Sequence, residues 1–305
     1  MNTSQPPFRS GFVAVVGRPS TGKSSLINAA LGQPVAPVSP RPQTTRRRQL
    51  GILTLPHAQV VLVDTPGVHA PHDRLGERMN AVARDVINDA DVVLIVFDLS
   101  SPPGADDERA AERVRTSPTS KPILLALNKV DLVRPTELTA HASAYCVLIP
   151  EAEAWAVSAT RGDACPSLFK RLEALLPVGP QYYPAEELTP TFERDLAGEL
   201  MRAAAMSLLH GEVPHSVAVV VEEFRERADE RAYVSATLFV ERESQKAIVI
   251  GQHGRMVREI GTLARKKIEE MSGRQIYLEL RVKVMRGWRQ SEGALQQFGY
   301  LSHDR

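Results

Sequence analysis

Apolar positions along the chain follow two rhythms. Short runs of Val, Ile and Leu alternate with stretches in which apolar residues recur every three or four positions. The runs at 11–16 (GFVAVV), 59–63 (QVVLV), 92–97 (VVLIVF), 122–127 (PILLAL) and 154–158 (AWAVS) predict strands. Their nearly unbroken apolar character predicts cover on both faces, as in a parallel sheet. The stretches 23–31, 75–89, 105–116, 136–144 and 166–176 predict the intervening helices. Such alternation defines an α/β, doubly wound fold, whose ligands sit at the carboxyl ends of the strands.

The rhythm breaks at PVGPQYYPAEELTP (177–190), where four prolines stiffen the backbone into a linker. Beyond it the pattern predicts a helix at 191–210, strands at 215–224 and 232–241, helices at 245–250 and 254–272, and a strand at 276–285. The charged stretch RERADER (225–231) joins the first two strands. This α-β-β-α-α-β order predicts a second, smaller α+β domain. The expected organisation is a flexible N-terminus at 1–10, a first domain at 11–176, the linker at 177–190, a second domain at 191–290 and a C-terminal tail at 291–305.

Composition changes this picture in three places. The chain is 43% hydrophobic and 24% charged, as folded domains are, and no stretch of 18 uncharged apolar residues offers a membrane span. Cys146 and Cys165 stand apart from any metal-binding spacing, which points to core thiols in a reducing, cytoplasmic setting. The formal net charge is +1, yet residues 245–290 carry eleven basic and four acidic residues, a local +7 that leaves −6 for the remainder. Such asymmetry suits a nucleic acid or an anionic surface.

The candidate chemistry begins at GRPSTGKSS (17–25), between a predicted strand and a predicted helix. Gly17, four residues, then Gly22-Lys23-Ser24 is a P-loop: backbone N–H groups cradle phosphate, Lys23 reaches the β- and γ-phosphates, and the Ser24 hydroxyl binds Mg²⁺. Ser20, Thr21 and Ser25 belong to the same loop. Asp64, at the end of strand 59–63, is a second candidate for Mg²⁺, and Gly67 can bring its N–H to the γ-phosphate. Asn128-Lys129-Val130-Asp131 follows a third strand. The Asp131 carboxylate can accept both N1–H and N2–H₂ of guanine, a donor pair that adenine lacks. The Lys129 stem would pack on the purine, and Ser158-Ala159 would complete the pocket. In the second domain Gly251-Gln252-His253-Gly254 lies between two predicted helices inside the basic segment, as the clamp of an RNA-binding KH domain does. Arg255 and Arg258 are the candidate phosphate contacts, flanked by Lys246 and Ile250. Trp288 reads as core rather than as a base-stacking platform.

The four nucleotide motifs in this order resemble the translation-factor class of P-loop GTPases. More narrowly, the chain resembles the Era family of bacterial GTPases over nearly its whole length. The resemblance rests on Pro42-Gln43-Thr44-Thr45-Arg46, on Asp64-Thr65-Pro66-Gly67-Val68-His69 with Pro71, on Leu75-Gly76-Glu77, on Asn128-Lys129-Val130-Asp131, and on Glu241-Arg242-Glu243-Ser244-Gln245-Lys246 running into Ile248-Val249-Ile250-Gly251. It implies a GTPase domain followed by a KH domain of the prokaryotic type. It also implies GTP/GDP and Mg²⁺ as cofactors, the 3′ end of 16S rRNA and the 30S subunit as partners, and a role in small-subunit assembly. A monomer, with peripheral attachment to the inner membrane, is part of the same implication. Thr44 and Thr45 would lie in the first switch, one of them supplying a hydroxyl to Mg²⁺. With GTP bound, residues 38–48 and 65–80 would order.

Two departures bear on mechanism. Ser20 stands where the group carries an Asn that helps to hold a catalytic K⁺, and a serine reaches such an ion less well. Val68 stands where Ras carries a water-orienting glutamine, a replacement the family shares, so intrinsic turnover should be slow. His69 reads as a surface residue rather than a general base, and Arg41, Arg46, Arg47 and Arg48 read as solvated or RNA-facing. Other functions open to this pattern are a different ribosome- or tRNA-associated GTPase, and an RNA-binding chaperone with a structural nucleotide. Intact Lys23, Ser24 and Asp64 argue for turnover.

Overall fold

The computed structural model describes residues 7–39, 41–118, 120–226 and 231–300. They divide into two units. The first holds 7–36, Thr45–Ala70 and Met79–Pro190; the second holds 191–300 together with Pro37–Thr44 and Pro71–Arg78.

The first unit is built on a six-stranded sheet of β1 (Arg9–Val16), β2 (Gln49–Leu55), β3 (Ala58–Asp64), β4 (Val92–Asp98), β5 (Ile123–Asn128) and β6 (Glu153–Ala156), in the order β2-β3-β1-β4-β5-β6. All neighbours run parallel except β2, which is antiparallel to β3. The helices are α1 (Lys23–Leu31), α2 (Arg74–Asp89), α3 (Ala105–Arg115), α4 (Pro135–Cys146) and α5 (Cys165–Leu175). Every residue of β3 and β4 is buried, as continuous apolar runs require. Ala14 and Val16 of β1 face Ala83, Ile87 and Val114 from α2 and α3; Val13 and Val15 face Leu26, Leu168 and Leu172 from α1 and α5. Because β1 lies between β3 and β4, the strand order reverses beside it and opens a crevice at the carboxyl ends.

The sequence pattern misses β2. It is an edge strand whose residues are mostly half-buried, so neither an apolar run nor strict alternation marks it. The expected lead and linker also carry more structure than the sequence pattern shows. Arg9 and Ser10 are not a flexible lead: they extend β1 opposite Ala58 and Gln59, and Ser10 N donates to Pro177 O at 3.1 Å. The linker is tied down along its length. The Gln59 carboxamide accepts from Tyr182 N and Tyr183 N at 2.9 and 3.0 Å and donates to Tyr183 O at 2.9 Å, while Ile52 N donates to Leu188 O at 2.8 Å.

The second unit carries β7 (Ala218–Glu226), β8 (Arg231–Val240) and β9 (Gln275–Val284) in that order, with β7 antiparallel and β9 parallel to β8. Its helices are α6 (Glu193–Leu208), α7 (Glu243–Ile250), α8 (Arg255–Ser272) and α9 (Glu292–Gln297). Leu196 and Leu200 of α6 and Ala264 and Ile268 of α8 pack on Val234 and Ala236 of the sheet. Residues 227–230 of the expected 225–231 connection lie outside the described residues. Residues 291–300 are not a tail. They form α9 and an aromatic cluster in which Trp288, Phe298 and Tyr300 pack together. Trp288 is fully buried and donates its Nε1–H to Ser216 O at 2.9 Å, which makes it core. Segment 37–44 is held here by Arg202, a fully buried residue that pairs with Glu199 and donates to Gln43 O at 3.3 Å and to Thr44 O.

Candidate functional site

The crevice beside β1 collects the first three motifs. Residues 17–22 turn from β1 into α1, wrapped around the buried Lys23 ammonium, which donates to Gly17 O at 3.1 Å and Arg18 O at 2.9 Å. Burial lowers the Lys23 pKa to about 8, with Asp64 opposing the shift and Arg18 adding to it. Such an ammonium gains strongly from a phosphate that replaces its lost water. Gly22 has φ +94°, and a Cβ there would lie 2.2 Å from Asn128 Nδ2, so glycine alone lets the two loops meet. Ser20 is exposed with φ +64°, at the loop's outer bend.

Oxygen ligands for a hard cation gather next to Lys23. Ser24 Oγ donates to Asp64 Oδ2 at 2.7 Å, Thr45 Oγ1 donates to the same oxygen at 3.0 Å, and the two hydroxyls are 3.2 Å apart. The other oxygen, Asp64 Oδ1, is buried with no hydrogen-bond partner. Burial pushes this carboxyl above its usual value, against the pull of Lys23 and of hydrogen bonds from Ser24 and Thr45. A buried carboxylate oxygen left bare beside two hydroxyls fits Mg²⁺, which takes few protein ligands and otherwise keeps water and phosphate oxygens. Among the described residues no group of three or more His, Cys, Asp or Glu could hold a metal.

The threonine pair separates. Thr45 joins Ser24 and Asp64, whereas the Thr44 hydroxyl is engaged with Arg41 O and Ser39 Oγ, both at 2.8 Å. Of the pair, Thr45 is the one that stands with the candidate metal ligands. Gly67 runs against the phosphate loop: a Cβ there would come within 2.6 Å of Pro19 N. Val68 is buried and its N–H donates to Gly17 O at 3.1 Å. His69 turns Nδ1–H to Gly67 O at 2.8 Å. Arg46 is buried rather than solvated, while Arg48 is exposed.

The base-reading residues follow β5. Asp131 Oδ1 is buried and has no hydrogen-bond partner, which suits the paired donors of guanine. Asn128 braces the loops around the base site. Its Nδ2–H donates to Thr21 O at 2.8 Å and its Oδ1 accepts from Ala159 N at 3.0 Å, so it bolts the phosphate loop to the 158–159 loop. Ser158 is buried, and its Oγ accepts from Arg161 N at 3.1 Å. Lys129, at φ +67°, sends its ammonium to Asp98. Sequence reasoning passed over Arg18, Asp98 and Asp107, which interlink behind this pocket. Asp98 ends an apolar strand just as Asp64 does, and that position was the available signal.

In the second unit, α7 ends at Ile250, Gly251 to Gly254 form the turn, and α8 starts at Arg255. Gly251, His253 and Gly254 have φ of +70°, +52° and +74°. Gln252, His253, Arg255 and Arg258 are exposed, while Lys246, Ile250, Gly251 and Gly254 are half-buried. Much of the local positive charge is already paired. Arg255 meets Glu259 at 2.8 Å, Lys266 meets Glu270 at 3.8 Å, and Arg274 meets Glu193 at 2.9 Å. A groove of 520 Å³ beside the turn is lined by Leu208, Arg255, Arg258, Glu259, Thr262, Leu263 and Lys266.

Fold and site together define a P-loop GTPase that carries a C-terminal KH domain. A family of 50S ribosome-binding GTPases matches residues 12–129, and the KH domain family matches residues 212–289. GTPase Era of Leuconostoc citreum (strain KM20) is 44% identical over 294 residues, covering 96% of this chain and 97% of that protein. A crystal structure of Era in complex with MgGDPNP and nucleotides 1506–1542 of 16S ribosomal RNA superposes with a TM-score of 0.91 at 35% identity, over 97% of this chain and 100% of that one. An Aquifex aeolicus Era variant bound to GDP·AlF4⁻ gives a TM-score of 0.91 at 34% identity, with the same coverage. The chain belongs to the Era family of GTPases. It is a GTPase that uses GTP, GDP and Mg²⁺.

Proposed function

We propose that this chain is a GTP-driven switch that binds the 3′ end of 16S rRNA through its KH domain and assists assembly of the 30S subunit. The observation that carries this reading is the bare, buried Asp64 Oδ1 beside Ser24 and Thr45, in a chain that also presents the turn 251–254 with Gln252 and His253 exposed. The relative solved with 16S rRNA nucleotides 1506–1542 supports the choice of RNA.

In this reading Lys23 and the N–H groups of the phosphate loop bind the β- and γ-phosphates, with Gly67 N–H on the γ-phosphate. Ser24, Thr45 and Asp64 hold Mg²⁺, which when bound offsets negative charge on the phosphates. Asp131 accepts from guanine, and Lys129 backs the purine. Hydrolysis relies on positioning and electrostatics, because Val68 offers no hydrogen bond to an attacking water. Its slowness keeps the GTP state long-lived until RNA or another partner engages. Arg255 and Arg258 contact RNA phosphates, while Gly251 and Gly254 let the backbone approach the strand. GTP orders the switches and permits RNA binding; hydrolysis releases it. The protein acts as a cytoplasmic monomer, with peripheral membrane contact secondary to RNA. No helix among the described residues is long and apolar enough to cross a membrane.

The test is the affinity of short single-stranded RNAs matching the 16S 3′ end, with a non-hydrolysable GTP analogue and with GDP, at fixed salt and beside a scrambled RNA. Tight, sequence-dependent binding with the analogue alone is expected. Equal affinity in both nucleotide states would remove the switch, since a ligand without differential affinity shifts nothing.

A further inference from the structure

The carboxylate of Asp98 belongs to none of the nucleotide motifs, yet it touches both ends of the pocket. Lys129 Nζ donates to its Oδ2 at 2.6 Å, and the Arg18 guanidinium reaches the same oxygen at 3.5 Å. Its Oδ1 accepts from Ser100 N at 3.1 Å and from Ser100 Oγ at 2.5 Å. The backbone beneath is pinned as well, because the fully buried Tyr145 donates its hydroxyl to Asp98 O at 2.9 Å and Ser101 O at 3.1 Å. The Asp98 side chain is only 10% exposed. Burial works to raise its pKa, but hydrogen bonds from Lys129 and Ser100 outweigh this and hold the carboxyl below its usual value. It is a fixed, ionised anchor.

Arg18 has a second acid. Its Nε–H donates to Asp107 at 3.0 and 3.1 Å, and Asp107 accepts Gly104 N at 3.1 Å at the start of α3. Two cations and two acids thus close into a neutral cluster. One end of it is Arg18, whose carbonyl receives the Lys23 ammonium at 2.9 Å; the other is Lys129. The phosphate grip and the base grip meet at one carboxylate.

We propose that Asp98 is a positioning residue for the guanine nucleotide: it anchors the Lys129 ammonium so that the lysine stem stands as a preformed wall of the purine pocket. An unanchored lysine samples many rotamers, and ordering it on binding costs affinity; the ion pair removes that cost beforehand. The inference rests on the assignment of residues 128–131 to the base and is independent of RNA.

The test is the release rate of a fluorescent GDP from the loaded full-length protein. Asp98→Asn is expected to speed release about 10-fold, the effect of losing one charge-assisted hydrogen bond. Combined with Lys129→Met it should be no faster than Lys129→Met alone, because Asp98 acts through that lysine. Asp98→Glu, which keeps the charge, should recover part of the loss, and it serves if Asp98→Asn folds poorly. Asp107→Asn should lower the melting temperature yet leave release within about 2-fold of wild type, since it spares the Asp98–Lys129 pair. Additive effects of Asp98→Asn and Lys129→Met, or equal acceleration by Asp107→Asn, would overturn the proposal in favour of general loosening. Unchanged release in Lys129→Met would overturn the base assignment and the proposal with it. Neither failure bears on RNA binding.

Discussion

Two loops in this protein are built to receive nucleotides, and they are made in opposite ways. Around the nucleotide crevice the polar groups are buried and cross-linked: Asn128 spans two loops, Lys23 is wrapped by its own turn, and Asp98 serves two cations. The acceptors left bare there, Asp64 Oδ1 and Asp131 Oδ1, are those a bound ligand would satisfy. At the turn 251–254 the polar side chains stand in water, and Arg255 already has a partner in Glu259. The difference teaches where energy resides. A buried, unpaired acceptor makes its ligand nearly obligatory, while exposed cations add small, salt-screened increments.

If that contrast is right, single substitutions should hurt the crevice far more than the turn. The largest effect is expected from Asp131→Asn. Two hydrogen bonds to a charged acceptor are lost, and GTP affinity should fall about 10²- to 10⁴-fold while xanthosine triphosphate becomes preferred. Nucleotide competition measures this, and an unchanged preference would end the base assignment. Ser24→Ala removes a hydroxyl beside Asp64 and should cut Mg²⁺-dependent turnover about 100-fold, more than it weakens GDP binding. Chelating Mg²⁺ from wild type should have the same direction, measured by phosphate release. Asn128→Ala strands Thr21 O and Ala159 N. It should weaken GDP by about 10-fold, as titration calorimetry can show; no loss would mean that the loops are held without it.

The turn supplies the small end of the scale. Arg258→Ala should lower RNA affinity only a few-fold and reduce the salt slope by about 1, uniformly across RNA sequences. Glu259→Gln should raise RNA affinity slightly by releasing Arg255. A large loss from Arg258→Ala, or none of the salt dependence, would erase the distinction between the two loops.

Legibility in the sequence follows the same division. Continuous apolar runs marked β3 and β4 because both faces of each are buried. β2 was invisible because an edge strand with half-buried residues carries neither rhythm. The motifs name Lys23, Ser24, Asp64 and Asp131 as candidates through their spacing and their places after predicted strands. Motif spacing could not separate Thr44 from Thr45, because adjacent residues differ only in which way the chain turns them. Nor could it reveal Arg18 with Asp98 and Asp107, which stand 80 and 89 positions away in sequence and meet only when β1, β4 and α3 come together. The +7 segment was legible as charge, but its pairing along α8 depends on helical neighbours that a count ignores.

The contact between Ile52 N and Leu188 O has a consequence for handling the protein. β2 is the outermost strand of its sheet, and its outward-facing donors form a ready template for another chain. The proline-rich segment lies over that border as a sash. A GTPase fragment ended at residue 176 would lose it, baring the border and inviting strand-to-strand self-association, whereas a fragment carried on to residue 190 keeps its own stopper.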